Sequence, residues 1–249
     1  MKDVEYIYGK HAVREVLSER PDVMVEVHAA ADFSDESILG LVDQHKQITL
    51  KVLNEKNPPR GVSSKAAHQG IVAGIIPDKL TVPYKEFKSS LSGGAGEALL
   101  VLGEVQDPHN VGAVIRSAAA FGLKGVLIPP HNQAPVTGTV VKVSAGMAFQ
   151  IPLVTISNVN STLRDLKDMG YWTYGLEGAG STTTVEEKFT KPTVFVLGNE
   201  GSGLREKTKE VCDELISIPI HPQCESLNAA AATAIVLASW SAQHPEALS

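Results

Sequence analysis

The sequence predicts an α/β protein with two lobes: a large domain on a mostly parallel sheet, preceded by a smaller α/β domain. Three observations carry this reading. From residue 98 onward, short β-branched runs alternate with helical stretches, the pattern of strands covered on both faces. A shorter alternation of the same kind fills the first 76 residues. Between the two, PDKLTVPYKEFKSSLSGGAGE supplies two prolines, a serine pair and a glycine-rich tip, so the expected organisation is 1–77, a linker at 78–97, and 98–249. With 249 residues, 43% of them hydrophobic and 20% charged, the chain can bury real cores.

In the first lobe, HAVREVLSER reads as a helix with Ala12, Val13, Val16 and Leu17 on one side, and VMVEVHAAA as the strand after it. The helix ESILGLVDQHK then leads to the strands ITLKVL and IVAGII. The turn-rich NEKNPPRGVSSKAAHQG between these strands carries Lys56, Arg60 and Lys65. It is either a local basic surface or a solvated loop. In the second lobe the strands are ALLVLGEV, GVLIP, PLVTI, YWTYGLE, TVFVLG and ELISIPI. The helices between and after them are NVGAVIRSAAAFG, VTGTVVKVSAG, NVNSTLRDLKDMG, LREKTKEVC and SLNAAAATAIVLASW.

Several classes are disfavoured. No apolar run reaches the roughly 20 residues of a membrane helix, and the start lacks a signal-peptide layout, so a cytoplasmic protein without membrane contact is expected. Cys212 and Cys224 form no CxxC or Cys/His cluster. No metal is expected, and both are expected as packed, reduced thiols. A net charge of −6 argues against a globally basic nucleic-acid-binding surface.

Open parallel sheets bind ligands at the carboxyl ends of their strands, which directs attention to the loops after Val105, Leu197 and Ile220. In QDPHNVGAVIRSAAAFG, Asn110 is expected to cap the helix. Arg116, on a helix otherwise almost wholly small or apolar, is expected to be buried and to need an anion such as phosphate. In FVLGNEGSGL the glycines at 198, 201 and 203 match neither the dinucleotide fingerprint nor a P-loop, so NAD and ATP lose their main support. Glu200 stands at the loop tip. In SIPIHPQCESLNAAAATAIVLASW, Glu225 and Ser226 look like first-turn and capping residues of a helix opened by Ser226 to Asn228. Its alanines permit close packing in a core or at a subunit interface.

Taken in order, these three segments closely resemble the motifs of the SpoU (TrmH-type) RNA ribose 2′-O-methyltransferases of the SPOUT superfamily, over about residues 98–245. IYGKHAV and HQGIVAG resemble the amino-terminal ribosomal-protein-like RNA-binding domain of members that methylate large-subunit ribosomal RNA. The resemblance implies S-adenosylmethionine as donor, a trefoil-knotted carboxy-terminal bend, and a homodimer with its active site at the interface. Knots are nearly absent from protein folds, so no periodicity argument would have produced one. It maps catalytic and ribose-positioning roles onto Asn110, Arg116, Glu200, Ser226 and Asn228, and backbone contacts with the donor onto Leu197, Gly198, Ile218, Ile220 and Leu227. Where many relatives carry Val-Ser-Val-Ala after Asn228, this chain reads Ala-Ala-Ala-Ala, which removes a hydroxyl.

The reaction implied is methylation of a guanosine ribose in 23S ribosomal RNA. A transfer-RNA enzyme or an antibiotic-resistance ribosomal-RNA methyltransferase is the alternative, and a non-catalytic RNA-binding or ribosome-assembly protein is the reading from a different class. Given the acidic balance, RNA affinity is assigned to local clusters: Lys56, Arg60 and Lys65, with Lys10 and Arg14.

Overall fold

The computed structural model describes residues 4–54, 56–63 and 65–249. It divides into two compact units, Met1–Thr81 with Val136–Gln150, and Val82–Pro135 with Ile151–Ser249.

The first unit runs β1 (Glu5–Tyr8), α1 (Lys10–Glu19), β2 (Met24–Ala29), α2 (Glu36–Gln44), β3 (Thr49–Val52) and β4 (Ile71–Ile75). Its sheet order is β1-β4-β2-β3, with β4 antiparallel to both neighbours and β3 parallel to β2. Val13, Val16 and Leu17 form the buried stripe of α1, spaced as one helical face requires. The side chain of Asp35 caps α2 by accepting from the Ile38 amide.

The second unit begins with β5 (Thr81–Pro83) at the boundary, then α3 (Tyr84–Phe87), β6 (Ala98–Leu102), α4 (Pro108–Ala120) and β7 (Gly125–Ile128). The next helix, α5 (Gly138–Val143), belongs to the first unit although it lies within the span expected for the larger domain. The chain continues with β8 (Leu153–Thr155), α6 (Val159–Asp168), β9 (Trp172–Leu176), β10 (Thr182–Thr183) and β11 (Thr193–Leu197). It ends with α7 (Glu206–Lys209), β12 (Glu214–Ser217) and α8 (Ala229–Ser241). The sheet order is β10-β12-β9-β11-β6-β7-β8-β5, and successive pairs from β10 to β8 are parallel. Strands buried on both faces explain the continuous apolar runs read from the sequence. Leu99, Val101, Val194 and Val196 point to one core with Leu163 and Leu166 of α6.

The stretch expected as a linker carries structure despite its composition. Phe87 enters the core of the second unit, and the buried Glu97 carboxylate accepts from the amides of Ser92 and Gly93 and from the hydroxyls of Ser92 and Tyr171. Those bonds hold the glycine-rich tip, which composition alone reads as flexible.

Candidate functional site

Three loops at the carboxyl ends of β6, β11 and β12 converge, and their contacts form one directed chain. The Asn228 side chain caps α8, its Oδ1 accepting from the amides of Ala230 at 2.9 Å and Ala231 at 3.2 Å. With Oδ1 committed to the helix end, its Nδ2 faces outward and donates to Asn110 Oδ1 at 2.9 Å. Asn110 Nδ2 in turn donates to Glu200 Oε1 at 3.2 Å. The orientation of both amides follows from the ends of the chain: helix amides can only donate and a carboxylate can only accept. Glu200 also accepts from the amides of Gln106 and Asp107, each at 3.3 Å. Burial pushes its carboxyl up, but bonds from its own amide, Asn110, Gln106 and Asp107 hold it below the usual range. Glu200 is therefore a fixed anion near neutral pH.

The second loop is shaped around Asn199. Its backbone pairs with that of Gly203, at 3.0 and 2.9 Å, and its Oδ1 accepts from the amides of Gly201 and Ser202. A Cβ at Gly198 would lie 2.4 Å from the Gly203 carbonyl carbon, and Gly203 itself adopts φ +68°. The glycine spacing thus lets the loop fold back on itself. Asn199 Nδ2 donates to the Glu104 carbonyl at 2.9 Å, tying this loop to the first.

Beside this chain lies a cavity of about 310 Å³. Leu197, Gly198, Ile218, Ile220 and Leu227 all line it, as do Glu200 and Ser226. Two further carboxylates, Glu177 and Glu225, line it, and no Lys or Arg does among the described residues. Glu177 was missed in the sequence although it directly follows the apolar strand β9, where the carboxyl-end rule points. Lys209 pairs with it at 3.1 Å.

Three expectations about α4 and α8 are corrected. The cap of α4 is Asp107, whose side chain accepts from the His109 amide at 2.8 Å; Asn110 lies inside the first turn, free to reach the other loops. Pro108 at the first helical position was the signal for this start. Glu225 and Ser226 precede α8 in an exposed loop and do not cap it; Asn228 does, because its two-amide bond closes the helix end. Arg116 is exposed rather than buried, with no hydrogen bond or ion pair among the described residues. The buried stripe of α4 is Val111, Val114, Ile115 and Ala118, and Arg116 falls outside it. The structure therefore joins Asn110, Glu200 and Asn228 directly and leaves Arg116 outside their hydrogen-bonded chain.

Cys212 is half-buried, with its thiol pushed up to about 12 chiefly by burial, whereas Cys224 is exposed and not packed as expected, its thiol donating to the Ser226 carbonyl. In the first unit, Lys56, Arg60 and Lys65 are exposed and unpaired among the described residues. Lys10 and Arg14 are half-exposed and both pair with Asp35, at 3.7 and 3.1 Å. Among the described residues there is no group of three or more His, Cys, Asp or Glu side chains placed to hold a metal ion, and no helix is long and apolar enough to cross a membrane.

The SpoU rRNA methylase family profile matches residues 97–238. The chain is 36% identical to the 23S rRNA (guanosine-2′-O-)-methyltransferase RlmB of Vibrio vulnificus, over 94% of each chain. A putative RNA methyltransferase of the TrmH family from Porphyromonas gingivalis superposes with a TM-score of 0.75 at 26% identity, covering 95% of this chain and 89% of that one. The SpoU methyltransferase AviRb of Streptomyces viridochromogenes, solved with the cofactor AdoMet, gives a TM-score of 0.80 at 21% identity, covering 97% and 91%.

Proposed function

The chain belongs to the SpoU rRNA methylase family, and from that premise we propose that it methylates the ribose 2′-hydroxyl of a guanosine in large-subunit ribosomal RNA, with S-adenosylmethionine as donor. The observation that carries this reading is the Asn228–Asn110–Glu200 chain at the rim of a carboxylate-lined cavity. When bound, the donor supplies an electrophilic methyl on a cationic sulfonium. The cavity suits such a group, since Glu200 and Glu225 favour a cation, Glu177 being already paired with Lys209, and the apolar Leu197, Ile218, Ile220 and Leu227 offer surface to a flat base. Gly198 and these four residues would hold it largely through backbone groups.

Asn110 and Asn228 orient the reacting ribose, with Ser226 beside them. Arg116 clamps a phosphate and stabilises the developing alkoxide. A guanidinium is a hydrogen-bond donor with no acceptor, so electrostatics rather than proton abstraction is the role its chemistry favours. Its solvent-facing position in a single chain supports a site completed by RNA and a second copy of the chain. The exposed apolar Ile235 on α8, 41% accessible, supports a homodimer. Lys56, Arg60 and Lys65, with Lys10 and Arg14, supply RNA affinity in a cytoplasmic enzyme. Ribosomal RNA is favoured over transfer RNA because the likeness to RlmB extends over both units. Mapping ribose methylation in cells with and without the protein tests the reading. Loss of one guanosine methyl in 23S RNA is expected, and loss only in transfer RNA overturns it.

A further inference from the structure

Across the Gly198–Leu204 loop from the donor cavity, a second cavity of about 370 Å³ opens at the carboxyl ends of β6, β7 and β8. Glu104, Asn132 and Arg205 line it. Glu104 and Asn132 adopt φ of +73° and +54°, two of only four non-glycine residues in that region among the described residues. Left-handed backbone at bulky positions persists where the surroundings enforce it, and such residues gather at functional sites. Here it sets the Asn132 amide against Glu104 Oε1 at 3.4 Å, and Arg205 pairs with the same oxygen at 2.5 Å. Glu104 Oε2 has no hydrogen bond among the described residues, and the carboxylate stays 24% exposed. Asn160, also on the wall, is held in place by Thr208 and Lys207, its Oδ1 accepting from the Thr208 hydroxyl and its Nδ2 donating to the Lys207 carbonyl.

A partly free carboxylate beside a guanidinium and an amide selects its ligand. A phosphate would face Glu104 as a like charge, which disfavours it. Among the nucleobases, guanine presents two adjacent donors, N1–H and N2–H, which one carboxylate can accept together. Its neighbouring O6 suits the Asn132 amide or Arg205, and the guanidinium plane can stack on the base. Adenine, cytosine and uracil each place an acceptor where guanine places a donor.

The cavity also lies in reach of the reacting site. Asn199 Nδ2 holds the Glu104 carbonyl at 2.9 Å, and Gln106, two residues on, donates its amide to Glu200 at 3.3 Å. Two residues span at most about 7 Å, on the order of one nucleotide step. Resting on the RNA methyltransferase reading above, we propose that this cavity receives a guanine base of the substrate RNA, within one nucleotide of the reacting ribose. Glu104 Oε2 accepts one of N1–H and N2–H, and Arg205, in leaving Oε1 to close over the base, frees that oxygen for the other.

The test uses RNA carrying inosine, which lacks the N2 amino group, singly at the methylated position and at each flanking guanosine. With wild-type protein, one of these should lower kcat/KM by about tenfold to a hundredfold, the discrimination a bidentate base contact gives. Glu104→Gln keeps size and backbone preference. It should lower kcat/KM on guanosine RNA to a similar extent, bring guanosine and inosine within about threefold of each other, and leave donor affinity by calorimetry unchanged. Arg205→Ala should raise KM for RNA with little change in kcat. A Glu104→Gln protein that keeps the wild-type guanosine-to-inosine ratio overturns the proposal while leaving the methyltransferase reading intact. A wild-type protein that methylates no RNA overturns both.

Discussion

Two regions assigned to RNA are built in opposite ways. In the second unit, Asn110, Glu200 and Asn228 have their polar groups tied to one another and to backbone amides. In the first unit, Lys56, Arg60 and Lys65 extend into solvent, unpaired among the described residues. The contrast is the one that the proposed roles would require. Groups that orient a reacting atom gain from being fixed beforehand, because every degree of freedom removed in advance is one not lost in the transition state. Cations that add affinity work through counterion release, which needs charge near phosphate but no fixed geometry. Arg116 stands between the two, on the ordered helix α4 yet without a partner among the described residues.

The strongest way to break this comparison is Arg116→Ala. If Arg116 acts on the reacting ribose, single-turnover methyl transfer falls by a factor on the order of 10³, as for loss of one preorganised oxyanion donor. Donor affinity by calorimetry stays within about twofold. Transfer at the normal rate would move Arg116 into the class of mere surface cations.

Neutralising Lys56, Arg60 and Lys65 together should come next. Every phosphate that a cation ceases to neutralise flattens the slope of log affinity against log salt by about 0.7 to 0.9, so a change near two is expected if all three touch RNA. Turnover at saturating RNA should hold. An unaltered slope would leave the loop as solvated surface.

Asn228→Ala removes a helix cap worth about 1 kcal/mol, so the melting temperature should fall by about 2–4 °C. It also cuts the chain to Asn110, so turnover should fall by about tenfold or more. A lower melting temperature with unchanged turnover would make Asn228 a cap and nothing else.

The smallest effect expected is on the acid limb of stability. The Glu200 carboxyl is held below its ordinary value, so the stability it confers is complete above the unfolded pKa of about 4.3 and is lost as pH falls through the lower folded value. Glu200→Gln should flatten that part of the melting-temperature profile. An identical acid limb in both proteins would show that the network does not favour the ionised form.

Much of this was legible in the chain. The parallel strands stood out because residues buried on both faces need unbroken apolar runs, and Leu197, Gly198, Ile218, Ile220 and Leu227, which the motif resemblance singles out, line one cavity. The misreadings have physical causes. Alanine counts as apolar but does not require burial, so the Ala-rich helix around Arg116 suggested a buried guanidinium where only one stripe is covered. Asn110 is a good cap by type, yet Asp107 before Pro108 is better placed, which releases Asn110 for a long-range contact that no local signal encodes. The path of 136–150 into the first unit rests on tertiary contacts alone.

The directed amide chain has a consequence in time. Its two links join residues 90 and 118 positions apart, so neither can form until the intervening strands have taken their places. Contacts of such long range come late in folding, because the entropy of closing large loops must be met first. During synthesis, then, a nascent chain cannot link Asn228 to Asn110 until residue 228 has emerged, so this amide chain is among the last contacts of the second unit to be made.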